Sequence, residues 1–409
     1  MPDNRILPRR SLFAAGATLL AARAARAETP PPGVPEWTLE QGAPIATPPY
    51  GVPSPFESSV IRRPRFPPPF ASAAYTGSPL QDLHGSITPN GLHYERHHAG
   101  VPRIDPAQHK LILHGLVSRP LVFSMDDITR FPSVSRIHFL ECSGNTPMWS
   151  NAKTEWTAQD THGLLSGAEW TGVPLATVLA EAGPLPNARW ILAEGADGAA
   201  MTRSIPLEKA LDDAILAYAQ NGERLRPEQG YPLRLFLPGF EGNTSVKWLR
   251  RLKLGDQPFD SREETSKYTD LLGDGKATRF NFVMEVKSVV TAPSGGQTLR
   301  GREFHEITGL AWSGRGRIRR VDVSTDGGRS WTEARLQDSV LPKALTRFRL
   351  PWSWDGGPAQ IASRAEDEFG NVQPTRAALI AARSDRARYH YNAIHTWRLN
   401  ADGTLINET

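Results

Sequence analysis

Residues 303–331 read EFHEITGLAWSGRGRIRRVDVSTDGGRSW. Two β-forming runs, Glu303–Trp312 and Ile318–Ser324, are parted by a Gly/Arg turn, and Asp326-Gly327-Gly328 turns the chain again before Trp331. Glycine and aspartate are what such tight turns demand, because they tolerate positive φ or bond their own backbone. The same texture continues on both sides, in Met284–Val290, Trp331–Leu336, Thr346–Trp352 and Gln360–Glu366, with Phe369-Gly370-Asn371 as a further turn. Six or seven short strands at this density predict a β-sandwich of immunoglobulin type over 281–402, followed by a tail at 403–409.

Upstream, residues 71–280 mix strands and helices, so the chain as a whole reads as α+β. Ile137-His138-Phe139-Leu140 is a short apolar run ending at Cys142. Pro174 and Gly183 bracket a short helical segment, as proline starts and glycine stops do. Leu207, Ala210, Leu211, Ala214, Ile215 and Tyr218 recur at helical spacing between Pro206 and Gly222, which predicts a second helix there. Leu233, Leu235 and Leu237 alternate with Arg234 and Phe236, so Arg234 points away from the leucine face of a strand. Residues 28–70 hold 13 of the chain's 35 prolines and predict extended chain without helices, either an arm draped over the body or a partner, or a plain disordered linker.

The formal charge of +4 over 409 residues is local. Residues 1–27 carry five arginines against Asp3, leaving 42 basic and 42 acidic side chains in the remainder. A neutral body argues against nucleic acid, whose binders concentrate positive charge. The one long small-apolar run lies near the N-terminus and is too short to span a bilayer. Arg9-Arg10, the Ala/Leu stretch after Phe13 and Ala25-Arg26-Ala27 read instead as a twin-arginine export leader, which predicts a periplasmic protein.

The chain has one cysteine, Cys142, so it forms no internal disulfide and has neither a Cys-x-x-Cys-His haem attachment nor a Cys-rich iron–sulfur site. Three readings of His138-Phe139-Leu140-Glu141-Cys142-Ser143-Gly144-Asn145 compete: a buried structural thiol, a nucleophile based by His138, and a thiolate ligand to a metal. Four residues along a strand separate two side chains by ~13 Å, too far for a His138 base. Spacing does not choose between the other two.

Glu141-Cys142-Ser143-Gly144-Asn145, Gly230-Tyr231-Pro232-Leu233-Arg234, Ser245-Val246-Lys247-Trp248-Leu249 and Ile307–Trp331 occur in the order of the sulfite oxidase family of molybdenum enzymes, which the chain resembles from about Leu80 to Asp402. Tyr94-Glu95-Arg96-His97-His98 and Thr146-Pro147 narrow the resemblance to the sulfane dehydrogenase subunits of periplasmic sulfur-oxidising systems. The resemblance implies a molybdopterin-binding domain over 71–280 and a dimerising sandwich after it. It implies Cys142 as the molybdenum ligand, Arg96 facing an oxyanion and His98 and Tyr94 beside the cofactor. Asp197 matches a pterin contact, and Arg234, Ser245, Val246 and Lys247 match the cradle of its terminal phosphate. Tyr268 is the one nearby counterpart of the family's active-site tyrosine.

Two departures bear on substrate. Pro147 stands where free-sulfite oxidases carry an arginine, and Gln229 stands where the family uses a cofactor-holding histidine. Fewer cations near the metal imply a site for sulfane sulfur tethered to a carrier protein's cysteine, oxidised by two-electron oxygen transfer. With no haem or flavin motif in this chain, a separate c-type cytochrome subunit is the expected electron acceptor, and the resemblance implies a homodimer within a hetero-oligomer. The alternatives are a dehydrogenase of free sulfite and a non-catalytic periplasmic binding module.

Overall fold

The run Ser135 to Glu141 becomes strand because its apolar residues gather toward one end. In Val134–Glu141 the last three residues are buried and the first half is wetter, so the strand dives from the surface into the centre. It pairs antiparallel along its whole length with Leu165–Pro174. The computed structural model describes residues 35, 49–64, 70–146 and 152–408. The chain divides into two units, Met1–Ser58 and Ser59–Thr409. Among described residues the first unit holds the 3-10 turn Pro55–Glu57, capped by the Ser54 hydroxyl. The export leader and Pro147 lie outside the described residues.

The second unit contains a five-stranded sheet around the strand that leads to Cys142. Glu223–Arg224, Ile215–Gln220, Leu165–Pro174 and Val134–Glu141 lie in that order, and Arg234–Phe236 also pairs with Ile215–Gln220. A second five-stranded sheet runs Leu121–Ser124, Lys110–Gly115, Leu249–Gly255, Trp190–Gly195, Thr202–Pro206, with one parallel pairing between Lys110–Gly115 and Leu249–Gly255. Between the sheets, Leu111, Leu113, Val178, Leu179, Leu233, Leu235, Leu237 and Leu252 form one apolar cluster.

The helix bracketed by proline and glycine is Leu175–Ala182, with Gly183 left-handed at its C-cap (φ 63°). The second expected helix is corrected. Only Leu207–Asp212 is helical, and Ile215–Gln220 is a strand. The helical spacing there was produced by a strand whose residues are mostly buried, so apolar side chains occupy both faces and erase the two-residue alternation. In the proline-rich stretch, Arg63–Pro64 is extended and forms an edge strand on Tyr75–Gly77, which in turn pairs with Glu95–Arg96.

The C-terminal half is a sandwich of four strands (Lys287–Ala292, Glu303–Trp312, Thr346–Trp354, Arg335–Leu336) on five (Thr332–Glu333, Ile318–Ser324, Ala359–Asp367, Thr396–Leu399, Leu405–Glu408). Two expectations change here. The first strand starts at Lys287 and not Met284, and the segment after 402 is no tail, because Leu405–Glu408 pairs with Thr396–Leu399. The helix Arg376–Arg383 interrupts the strand series; Pro374 precedes it and the Thr375 hydroxyl caps it, a start signal the strand reading passed over. Trp312, Phe348, Ile361 and Trp397 centre a core that also takes in Leu80, Phe139 and Leu165 from the first half. The two halves therefore share apolar packing, and the strand leading to Cys142 is part of it.

Candidate active site

Cys142 follows the buried end of Val134–Glu141, where its amide bonds the Leu164 carbonyl (3.0 Å) and its carbonyl accepts from the Asn145 amide (2.8 Å). The turn aims Sγ at the meeting point of two cavities. The first, of about 640 Å³, is lined by all ten residues that sequence reasoning brought forward: Tyr94, Arg96, His98, Cys142, Asp197, Arg234, Ser245, Val246, Lys247 and Tyr268. The second, of about 740 Å³, shares Arg96, His98, Cys142 and Tyr268 and adds Tyr75, Gln159, Lys267 and Tyr389. Burial pushes the Cys142 thiol up, partly offset by the Gly144 amide and Arg96. His138 turns away, stacked on Phe236 with Nδ1 at the Lys343 carbonyl (3.2 Å).

Cations concentrate at the far end of the first cavity. Arg234 does lie on the face opposite the leucines, but that face is buried too. Its guanidinium is 2% exposed, over the Trp170 ring at 5.0 Å. Nη1 donates to the Gln229 carbonyl and Nη2 to the Ser245 carbonyl, both at 3.0 Å, while Nε is buried without a partner. Burial lowers this guanidinium to about 10. Lys247 Nζ donates to the carbonyls of Arg96 and Glu228 (both 3.0 Å) and to His97 Nδ1 (2.8 Å). Burial, then Arg234 nearby, holds Lys247 well below the usual ammonium range. Gly230 lets these two approach: its φ is 110°, and a Cβ there would stand 3.1 Å from the Cβ atoms of both Arg234 and Lys247.

The smaller roles follow from backbone geometry. The Ser245 hydroxyl accepts from the Leu237 amide (3.1 Å) and retains its own proton to donate. Val246 accepts from the Leu235 amide through its carbonyl (2.9 Å), fixing the loop to the strand that carries Arg234. Asp197 is buried and caps the Met201 amide (3.1 Å). The Tyr94 carbonyl accepts from Gln229 Nε2 (2.9 Å), so the glutamine in the histidine's place ties two cradle segments together.

At the shared end, His98 Nε2 and the Tyr268 hydroxyl are 3.0 Å apart. Burial lowers the imidazole to about 3 and raises the phenol further above its ordinary range. Both are therefore neutral at any working pH. Arg96 Nη1 bonds the carbonyls of Ala73 (3.0 Å), Ala74 and His97, which steadies its guanidinium beside Cys142. Sequence reasoning missed His97, Trp248, Met201 and Asn243 in the first cavity and Tyr389, Lys267 and Gln159 in the second. His97 had a signal, its place within Tyr94–His98, whereas Tyr389 comes from 121 residues beyond Tyr268 and had none.

This donor set fits a phosphorylated, metal-bearing cofactor. The buried Arg234 guanidinium and Lys247 amine form no ion pair with a carboxylate among the described residues, and Arg234 Nε has no partner there, so an anion is what the cradle lacks. Among described residues no cluster of three or more His, Cys, Asp or Glu is placed to hold a metal, so a metal at Cys142 takes its other ligands from a cofactor.

Comparison with known proteins agrees. Residues 98–263 match the family described as "Oxidoreductase molybdopterin binding domain", and residues 278–396 the "Mo-co oxidoreductase dimerisation domain". Mitochondrial sulfite oxidase of Mus musculus is 33% identical over 322 residues, covering 72% of this chain and 59% of that protein. That of Homo sapiens is 34% identical over 324 residues, covering 72% and 58%. Nitrate reductase [NADH] 2 of Phaseolus vulgaris is 34% identical over 346 residues, covering 73% and 38%. The chain thus spans 58–59% of the length of these sulfite oxidases. The crystal structure of the sulfane dehydrogenase SoxCD from Paracoccus pantotrophus matches with a TM-score of 0.90 at 47% identity, covering 93% of this chain and 99% of that chain. With matched domains in family order, a thiol at the mouth of a phosphate-seeking cavity, and that structural agreement, the chain belongs to the sulfite oxidase family of molybdenum oxidoreductases.

Proposed function

We propose that the protein is a periplasmic dehydrogenase of sulfane sulfur, oxidising sulfur held on a carrier protein's cysteine and passing electrons to a c-type cytochrome subunit. The observation that carries this reading is the second cavity. It gives about 740 Å³ beside Cys142, lined chiefly by tyrosines, amides and small residues, with Arg96 and Lys267 its cations among the described residues. Free sulfite is a small dianion and needs a compact cluster of cations. A persulfide on an extended peptide needs length and little net positive charge, and here Asp160 offsets one of the two cations. The 47% identity to SoxCD supports the same choice. The export leader supports the compartment, and no helix among the described residues is long and apolar enough to cross a membrane.

When bound, the molybdenum centre supplies two-electron oxygen-atom transfer. Cys142, Tyr94, Asp197, Ser245, Lys247 and Arg234 are the residues that would hold it, the last three at its phosphate. Each two-electron oxidation adds one oxygen from water to the terminal sulfur and releases two protons and two electrons. Arg96 faces both cavities and is preorganised by its carbonyl bonds to stabilise the negative charge that grows on the new oxygen. His98 and Tyr268 are neutral and hydrogen-bonded, so they orient the sulfur and do not store its protons.

The test is metal analysis followed by steady-state kinetics on the full chain with its electron acceptor. About one molybdenum per chain and turnover of carrier-bound persulfide, with free sulfite poor, is the expected result. Efficient turnover of free sulfite without carrier overturns the substrate assignment in favour of a sulfite dehydrogenase, and a metal-free protein with intact partner binding overturns the enzyme.

A further inference from the structure

The residue before the thiol, Glu141, is completely buried, and its carboxylate meets groups from the other half of the chain. Oε1 accepts from Lys287 Nζ (3.0 Å) and from Asn145 Nδ2 (3.0 Å), and Oε2 accepts from the Trp312 indole (2.6 Å). Lys287 and Trp312 are cross-strand partners in the sandwich, so both reach Glu141 from one place. Lys287 Nζ also donates to the Thr146 hydroxyl (2.7 Å). Thr146 sits at φ 63°, a left-handed conformation that a β-branched residue adopts only when its surroundings hold it there. A single ammonium therefore grips the segment 141–146 at both ends, with Cys142 between.

We propose that Lys287, backed by Trp312, is a positioning residue of the metal centre, fixing from the second domain the turn that presents Cys142. The domain matched as a dimerisation module thereby also sets where the metal's protein ligand stands. The desolvation of a buried ion pair can cancel its Coulombic gain, so stability alone does not account for this contact. The inference rests on Cys142 as the ligand, and it holds whichever sulfur compound is the substrate.

The test uses the loaded enzyme. In Lys287→Met we expect the g-values of the one-electron-reduced molybdenum to move, and kcat to fall ~10- to 100-fold with KM nearly unchanged, as misplacement of a reacting group does. Thr146→Val, which removes one anchor and no charge, is expected to move the same g-values in the same direction. Wild-type g-values and kcat in a fully loaded Lys287→Met overturn the proposal, because a merely structural lysine would alter melting temperature and yield but not the spectrum per metal. Should the uncompensated Glu141 prevent folding, the double variant Glu141→Gln/Lys287→Met removes both charges and is read by the same criterion. Cys142→Ser is the control. A large change of g-values in the metal-loaded variant confirms the ligand, and wild-type g-values there sink the ligand reading itself, separately from the role of Lys287.

Discussion

Replacing Arg234 by methionine should separate cofactor binding from folding. The guanidinium is 2% exposed and has no carboxylate ion pair among the described residues, and burial lowers it to about 10. Against an ordinary arginine near 12.5 that corresponds to roughly 3 kcal/mol of unfavourable charge burial, at 1.36 kcal/mol per tenfold. Methionine removes this penalty and refills the stem, but strands the Gln229 and Ser245 carbonyls, at about 1–3 kcal/mol each. The two effects offset each other in large part, so the cofactor-free variant should lie within about 3 kcal/mol of cofactor-free wild type. With cofactor the balance is different. Losing a buried charge-assisted contact to phosphate costs ~2–5 kcal/mol, which weakens binding by ~30- to 4,000-fold.

The assay pairs denaturant unfolding of the two proteins, produced in a host lacking the pterin pathway, with molybdenum content after production in a competent one. A cofactor-free Arg234→Met destabilised by more than about 4 kcal/mol while its molybdenum content stays at the wild-type level would refute the reasoning. Arg234 would then be an ordinary strand arginine, packed for stability.

Other consequences follow from the same site. Tyr268→Phe deletes the hydroxyl bonded to His98 and should lower kcat ~10-fold or more with molybdenum content intact, checked by kinetics and metal analysis on one sample. Gly230→Ala forces a Cβ to 3.1 Å from Arg234 and Lys247 at a φ of 110°, so cofactor content should fall before the fold does, checked by metal analysis beside circular dichroism. His395 and His93 are buried imidazoles lowered to about 3, so each binds its proton more readily unfolded. Stability should therefore be full above about pH 6.5 and fall as pH drops toward 3, by up to ~1.4 kcal/mol per pH unit for each. Neither ring nitrogen of His395 has a partner, so His395→Phe should flatten that slope in denaturation midpoints measured from pH 7 to 4.

What the sequence made legible was set by the range of the physical signal. Glu303–Trp312 and Ile318–Ser324 form with the bounds their β-formers and turns imply, because turn chemistry acts within a few residues. The ten site residues came from motif resemblance, and the structure gathers them in one cavity. Arg234 shows where local reading stops. Alternation put it opposite the leucines, yet period two says which face a residue takes and nothing of what covers that face, here Trp170. The run 207–218 failed for a related reason, since a strand buried on both faces carries no alternation to oppose a helical count. Lys287 and Trp312 were illegible at site level, because their contacts to Glu141 span 146 and 171 residues.

The charge distribution links these observations. Arg234 and Lys247 stand in the first cavity only, Lys267 and Tyr389 in the second only, and Arg96 with Cys142 in both. Cations needed to retain a phosphorylated cofactor are thus kept out of the space a substrate enters. If they were shared, each change that loosened the site's grip on anionic substrates would also loosen its grip on the cofactor. With the two separated, affinity for the cofactor can be strong without adding those cations to the second cavity. On the proposed function Arg96 is the exception, because it lines both cavities and would meet the charge that grows on the new sulfur–oxygen bond.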